Sequence, residues 1–239
     1  MAEPGTNMDV PDFEQIYRGE TPLGGKIPWD FGAPQPVVVA LAGGGGEFVG
    51  EVLDVGCGLG DNASFLASRG FRVTGVDSSP TAIERARARA ASMGLDVAFA
   101  VADATKLDGY ENRFDAVLDS ALYHCLEAAQ RREYLATLTR VTRPGARLHL
   151  LCFSSQLPDA FPTPHRFGET ELREEVGQEW TVESVKPAFY TTSFTREDLE
   201  AGARMLLGGD ADTTGLALMD TDADGRVLAP VWQLTAHRA

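Results

Sequence analysis

The chain has 239 residues, 44% of them hydrophobic and 23% charged, the composition of a globular protein with a buried core and little room for long disorder. Its formal net charge of -14 argues against a nucleic-acid substrate, since binding a phosphate backbone relies on clustered Lys and Arg, and favours a neutral or cationic small molecule. Cys57, Cys125 and Cys152 are too scattered for a C-x-x-C metal or redox motif or a disulfide framework, which fits a reducing compartment; with no export signal, and no apolar run of the ~20 residues needed to cross a bilayer, the expected location is the cytoplasm.

Residues 1–35 are polar and rich in Pro and Gly, yet carry Phe13, Tyr17, Trp29 and Phe31. Aromatics in such a stretch predict a segment that docks as a lid. From Glu51 short apolar runs alternate with helical stretches, the pattern of βαβ units and a parallel sheet. Strands are expected at 52–55, 72–76, 97–101, 116–118 and 147–153. Ser79 and Pro80 suit the start of a helix that ends near Gly94. A second helix over 128–141 places Tyr134, Leu135, Leu138 and Val141 on one face, and Pro144-Gly145 turns the chain toward the next strand. After Ser154 a loop bearing Pro158, Pro162 and Pro164 precedes a helix at 169–176 and a strand at 180–185. Thr195-x-x-Asp198 has the form of a capping box opening a helix to about Leu207, and 227–236 is the last strand. Asp220-x-Asp222-x-Asp224-Gly225 resembles the opening of a calcium loop, but Val231 stands where the twelfth-position Glu is required. Asp224-Gly225 reads better as a two-residue hairpin turn, so no metal is expected.

The most informative segment runs Val52-Leu53-Asp54-Val55-Gly56-Cys57-Gly58-Leu59-Gly60-Asp61-Asn62, a buried strand entering a glycine loop and a helix. Gly56, Gly58 and Gly60 let the backbone turn tightly and approach a ligand closely. A dinucleotide loop places its third glycine where this chain has Asp61, and an acid there would repel a pyrophosphate at the helix N-terminus. S-adenosylmethionine carries no phosphate, and its ammonium and sulfonium tolerate Asp54 and Asp61. Asp77, followed by Ser78, ends the second strand, where a carboxylate accepts from two ribose hydroxyls. Asp103 and Ala104 follow the third strand, suited to an adenine amino group and ring nitrogen. Asp119 and Ser120 end the fourth, at the carboxyl edge where ligands lie in open α/β sheets.

Together these elements resemble the class I S-adenosylmethionine-dependent methyltransferases, over roughly residues 48–153. Tyr17-Arg18-Gly19, the Pro28-Trp29-Asp30-Phe31-Gly32 stretch and Asp119-Ser120-Ala121-Leu122-Tyr123-His124 are similar to a narrower set: actinobacterial enzymes acting on quinones and heterocycles and, more distantly, thiopurine and thiol methyltransferases. The resemblance implies an α/β fold with a Rossmann-like, seven-stranded, mostly parallel sheet, helices on both faces and an antiparallel last strand. It implies one domain over 1–239, with an N-terminal lid at 1–47, a cofactor core at 48–153 and a C-terminal part at 154–239. The text between Tyr190 and Val231 exceeds what compact members need, so an extra cap is expected near 191–230. Methyl transfer to O, N or S of a small aromatic or heterocyclic acceptor would leave S-adenosylhomocysteine; a cofactor-binding or non-methylating protein on the same scaffold is the alternative. The expected partner is the small-molecule acceptor, with no nucleic acid or membrane, the chain being a monomer or homodimer.

His124, just past strand four, is a candidate general base for the acceptor or a packed histidine. Tyr123 is expected to stack on adenine or line the acceptor pocket, with a core position as the rival. Trp29 suits capping of a sulfonium or simple packing, and Tyr17 has the same two readings. Cys57 reads as packing, and Cys125 has no base but His124 beside it. Arg85 and Arg89 share a helix face, which reads as a solvated surface.

Overall fold

A computed structural model describes residues 12–21 and 25–239; residues 1–11 and 22–24, all within the expected lid, lie outside the described residues. The first helix, α1 (Phe13–Arg18), starts where the Asp12 carboxylate accepts from the Glu14 and Gln15 N–H groups and stops at Gly19. Helix α2 (Pro36–Gly43) begins with a proline at its first position. The alternating part follows as β1 (Glu51–Val55), α3 (Asp61–Ser68), β2 (Arg72–Asp77), α4 (Pro80–Ser92), β3 (Ala98–Val101) and β4 (Phe114–Ser120). Then come α5 (Ala128–Val141), β5 (Thr142–Phe153), α6 (Glu169–Val176), β6 (Thr181–Thr191), α7 (Arg196–Leu207), α8 (Thr214–Ala217) and β7 (Leu228–His237).

The strands form one seven-stranded sheet in the order β3-β2-β1-β4-β5-β7-β6. Pairing is parallel from β3 to β5, while β7 runs antiparallel to both β5 and β6. The expected sheet, antiparallel last strand included, is present.

Alternation along the strands divides the core in two. Val52, Ala116 and Leu118 pack with α2, α3, α4 and α7, whereas Leu53, Val55 and Val117 pack with α5 and α6. Both sides of the central strands are therefore covered, which is why β1 reads as an almost continuous apolar run. From β1 the chain winds to β2 and β3 on one side and to β4 and β5 on the other, and this reversal opens a crevice at the carboxyl ends of β1 and β4.

Some boundaries move. Strand β5 starts at Thr142 because Thr142 already pairs with Phe114 across an irregularity before Ala116. Strand β6 continues to Thr191, since pairing with β7 reaches Thr191 and Leu228. The turn after Asp222 holds three residues rather than two: Asp222 pairs with Arg226, the Asp222 carbonyl accepts from Gly225 N–H, and its carboxylate accepts from the Asp224 and Arg226 N–H groups. Helix α7 has the expected cap, with Thr195 and Asp198 exchanging hydrogen bonds.

Candidate functional site

Above the carboxyl ends of the parallel strands lies a cavity of about 970 Å³. Strand β1 delivers the chain into it at Gly56 and Gly58, both bordering the space. Gly58 has φ +52°, and a Cβ there would lie 2.7 Å from the Tyr17 hydroxyl oxygen, so only glycine fits. Gly60 lies beneath the loop instead, where a Cβ would meet the Phe99 ring at 2.7 Å and Ala86 at 3.0 Å. Its expected cofactor contact gives way to helix packing.

Asp77 ties this loop to β2. One carboxylate oxygen accepts from Gly58 N–H at 2.9 Å and the other from Ser79 N–H at 2.9 Å. Burial raises its pKa, and those N–H groups oppose the rise. Ser78 is exposed at the cavity edge, and Asp103 and Ala104 border the space from the end of β3. Asp103 is oriented by the Thr105 backbone N–H at 2.9 Å and hydroxyl at 2.7 Å. Asp77, Ser78, Asp103 and Ala104 thus share one wall with Gly56 and Gly58.

Two sequence expectations at the end of β4 are corrected. Asp119 is fully buried and does not border the cavity. Its carboxylate accepts from the Leu122 and Tyr123 N–H groups at 2.8 and 3.3 Å and from the Tyr134 hydroxyl at 2.8 Å, so it builds the turn. Tyr123 is also fully buried, packed against Tyr134 and Phe167, and donates its hydroxyl to Glu175 at 2.8 Å. Satisfied there, it neither stacks on a ligand nor lines the cavity.

His124, the next residue, does border the cavity, together with Cys125. The His124 ring stacks on Phe153 with centroids 4.2 Å apart. Burial, with a smaller effect from His165, pulls its pKa down to about 3, so the imidazole is neutral at ordinary pH. Nδ1 has no hydrogen-bond partner among the described residues. Phe153, Phe161, Tyr190, Phe194 and, from α7, Leu199, Gly202, Met205 and Leu206 also border the cavity. These apolar residues were not legible in the sequence, since they come from separate segments without a shared motif.

Described residues of the N-terminal segment also border the cavity. Tyr17 and Trp29 meet edge to face at 5.7 Å, and the indole N–H donates to the Tyr17 hydroxyl at 3.0 Å. Both border the cavity beside Gly58. What holds them was misread in the sequence: Arg89 donates to Asp30 at 2.8 and 3.0 Å and to Asp61 at 2.9 Å, and Arg85 donates to the Tyr17 carbonyl at 3.1 Å. The shared face of α4 is a clamp rather than a solvated surface, because the segment folds back over it. Glu14 adds a second fastening, accepting from the Ser79 and Thr81 hydroxyls at 2.5 and 2.6 Å, and these bonds lower its pKa to about 2. Lys26 reaches Asp198 of α7 at 2.6 Å, and the Gln35 amide donates to and accepts from the backbone of Thr191 at 2.9 Å each.

The lining also tests which cofactor fits. Asp30, Asp61, Asp77, Asp103, Glu127 and Asp198 border the cavity, and among the described lining residues there is no Lys or Arg. Asp30 and Asp61 are paired with Arg89, Asp103 with Lys106 and Asp198 with Lys26, and a described lining with acids but no Lys or Arg suits a cationic nucleoside better than a pyrophosphate. Asp61, the residue that breaks the dinucleotide pattern, is one of these acids.

Residues 52–145 match the methyltransferase domain family. The 2-heptyl-1-hydroxyquinolin-4(1H)-one methyltransferase of Mycobacteroides abscessus is 37% identical over 234 residues, covering 95% of this chain and 96% of that protein. A solved structure from a study of the conversion of a disulfide bond into a thioacetal group during echinomycin biosynthesis is 35% identical, with TM-score 0.76 over 95% of this chain and 91% of that one. At 22% identity and TM-score 0.63, over 95% of this chain and 86% of that one, the fold matches a Burkholderia thailandensis 1,6-didemethyltoxoflavin-N1-methyltransferase solved with bound 1,6-didemethyltoxoflavin and S-adenosylhomocysteine. With the glycine loop, Asp77 and the acidic wall converging on one cavity, this chain belongs to the S-adenosylmethionine-dependent methyltransferase family.

Proposed function

We propose that the acceptor is a small, planar aromatic or heterocyclic compound methylated on O, N or S. The observation that carries this reading is the two-sided cavity, acidic and glycine-lined at one end and walled by Phe153, Phe161, Tyr190, Leu199, Met205 and Leu206 at the other. Its volume of about 970 Å³ stands at the top of the range of roughly 300–1,000 Å³ for ligand sites, room for a nucleoside and a second molecule. The relative acting on a hydroxyquinolone agrees with an acceptor of this kind.

The positions of the lining residues support a division of labour. Asp77 faces the sugar, Ser78 lies beside it, and Asp103 with the Ala104 backbone faces the base. Gly56 and Gly58 bring backbone against the amino-acid tail, while Trp29 and Tyr17 cover the cationic centre. Bound S-adenosylmethionine supplies a methyl group whose leaving sulfur is already activated by its positive charge. The protein's part is positioning and exclusion of water. Neutral His124 is the base that takes a proton from a hydroxyl or amine acceptor; a correctly placed base contributes on the order of 100-fold. Residues 1–47 act as the lid and 191–230 as the cap over one domain, which works in the cytoplasm as a monomer or homodimer, without nucleic acid or membrane.

The test is transfer of labelled methyl from S-adenosylmethionine to a panel of phenols, hydroxyquinolines, quinols and thiols. Turnover on the planar members is expected, and none on any member would overturn the reading.

A further inference from the structure

Helix α7 sends one side to the cavity. The α7 residues that border the space are Asp198, Leu199, Gly202, Met205 and Leu206, and at about 100° per residue they fall on a single arc of roughly 120°. The opposite side is that of an ordinary surface helix, with Arg204 paired to Glu200 at 3.1 Å. Exposure along the lining arc climbs toward the helix C-terminus. Leu199 is 2% exposed and packs in one cluster with Phe161 and Tyr190, whereas Leu206 is 46% and Met205 56% exposed. The apolar end of the cavity therefore runs out along α7 to the surface, over the roughly 10 Å of helix between positions 199 and 206.

Gly202 lies at the middle of that arc. Glycine is the poorest helix former after proline, and here it occupies the interior of a 12-residue helix, so the helix itself gains nothing from it. What it supplies is a gap. With no side chain between Leu199 and Leu206, about one turn to either side, the wall carries a furrow one side chain deep, flanked by Met205. We propose that this furrow takes an unbranched alkyl tail carried by the acceptor, leaving the planar part near Phe161 and Tyr190 and passing Gly202 toward Leu206 and Met205. This rests on the reading of a planar acceptor at the apolar end. The chemistry of the furrow is that of a hydrocarbon site. Leu199, Met205 and Leu206 are apolar, and the one charged group on the arc, Asp198, is already held by Lys26 at 2.6 Å and by the Thr195 N–H at 2.8 Å. The flexible thioether of Met205 adapts to tails of different length. A bound tail would also cover two large apolar side chains that otherwise face water at the rim of a ligand site.

Phenols and hydroxyquinolines bearing n-alkyl tails from methyl to nonyl, assayed with the wild type and with Gly202→Leu, test the furrow. Each buried methylene is equivalent to about a fourfold gain in binding, so wild-type kcat/KM should rise at least ~50-fold along the series, through KM, and level off once the tail passes Met205. Gly202→Leu fills the gap: kcat/KM on the longest members should fall at least ~10-fold while the methyl congeners stay within about twofold. Gly202→Ala is a smaller plug and a better helix former. It should raise Tm yet lose part of the gain with tail length, a combination that a merely structural role for Gly202 does not produce. Calorimetric binding of the same series in the presence of S-adenosylhomocysteine reads the tail without turnover. Wild-type activity that gains nothing from tail length, or the same gain in wild type and Gly202→Leu, overturns the furrow and leaves the planar acceptor standing. Neither turnover nor binding of any member removes the planar acceptor, and the furrow with it.

Discussion

Asp77 commits both carboxylate oxygens to backbone N–H groups, of Gly58 and Ser79, so it shapes the glycine loop before any ligand arrives. Replacing it with Asn removes the charge and one matched acceptor. Hydrogen bonds to charged groups contribute about 1.5–3 kcal/mol, and affinity for S-adenosylhomocysteine in Asp77→Asn should fall at least ~10-fold by calorimetry. Asp54 predicts an effect of the opposite kind. It is 1% exposed, and burial first, then the charge of Asp119, raises its pKa to about 7. The Ala63 backbone N–H opposes this rise only weakly, and neither oxygen has a close hydrogen-bond partner among the described residues. A carboxyl whose folded pKa lies above its unfolded value contributes stability below the unfolded value and loses it as pH rises through the folded one. Asp54→Asn should therefore stabilise the fold by about 2 kcal/mol more at pH 8 than at pH 5 in urea unfolding; an equal effect at both values would refute the buried charge. Residue identities on the loop were legible because spacing there is fixed by chemistry. Asp119 and Tyr123 were not, since a sequence does not show which way neighbours in a tight turn point, and both turned inward to satisfy buried donors.

Among the elements, α4 does more than cover the sheet. Its N-terminus receives Glu14 through Ser79 and Thr81, and its exposed face receives Asp30 through Arg89. The Arg89 pair is partly buried, with side-chain exposures of 31% and 16%, and its two-pronged contact with Asp30 is the geometry in which arginine is strongest. Arg89→Met should free the segment from 12 to 35, seen as faster limited proteolysis there and weaker cofactor binding, with a stability loss of about 1–2 kcal/mol; unchanged cleavage would show that the clamp is idle. In the sequence the i, i+4 pair of arginines was visible, but its partners lie 28 to 68 positions away and no local pattern connects them. Helix α7 was easier to find, because a capping box declares itself within four residues. The length of β6 was not, since pairing with β7 decides it.

For the molecule as a whole, one cavity with six acidic side chains and no Lys or Arg among its described lining sets what the fold can hold. Ligand binding to the native state raises stability by RT ln(1 + [L]/Kd), about 2.7 kcal/mol at a hundredfold excess over Kd. For a domain of this size that is a Tm increase of roughly 5–10 °C with S-adenosylhomocysteine. NAD at the same concentration should give none, and a comparable shift with NAD would contradict the acidic wall.

The order in which the chain visits the cavity has its own meaning. Leaving aside the N-terminal residues, the lining at the glycine end comes from Gly56 to Thr105, and the apolar end is built mainly from Phe153 to Leu206. On the proposed assignment of the two ends, donor and recipient are served by successive stretches of polypeptide, joined where β5 ends. An exchange of everything beyond Ser154 between two such enzymes would transplant the choice of recipient while keeping the donor apparatus whole, and natural recombination has the same seam to exploit.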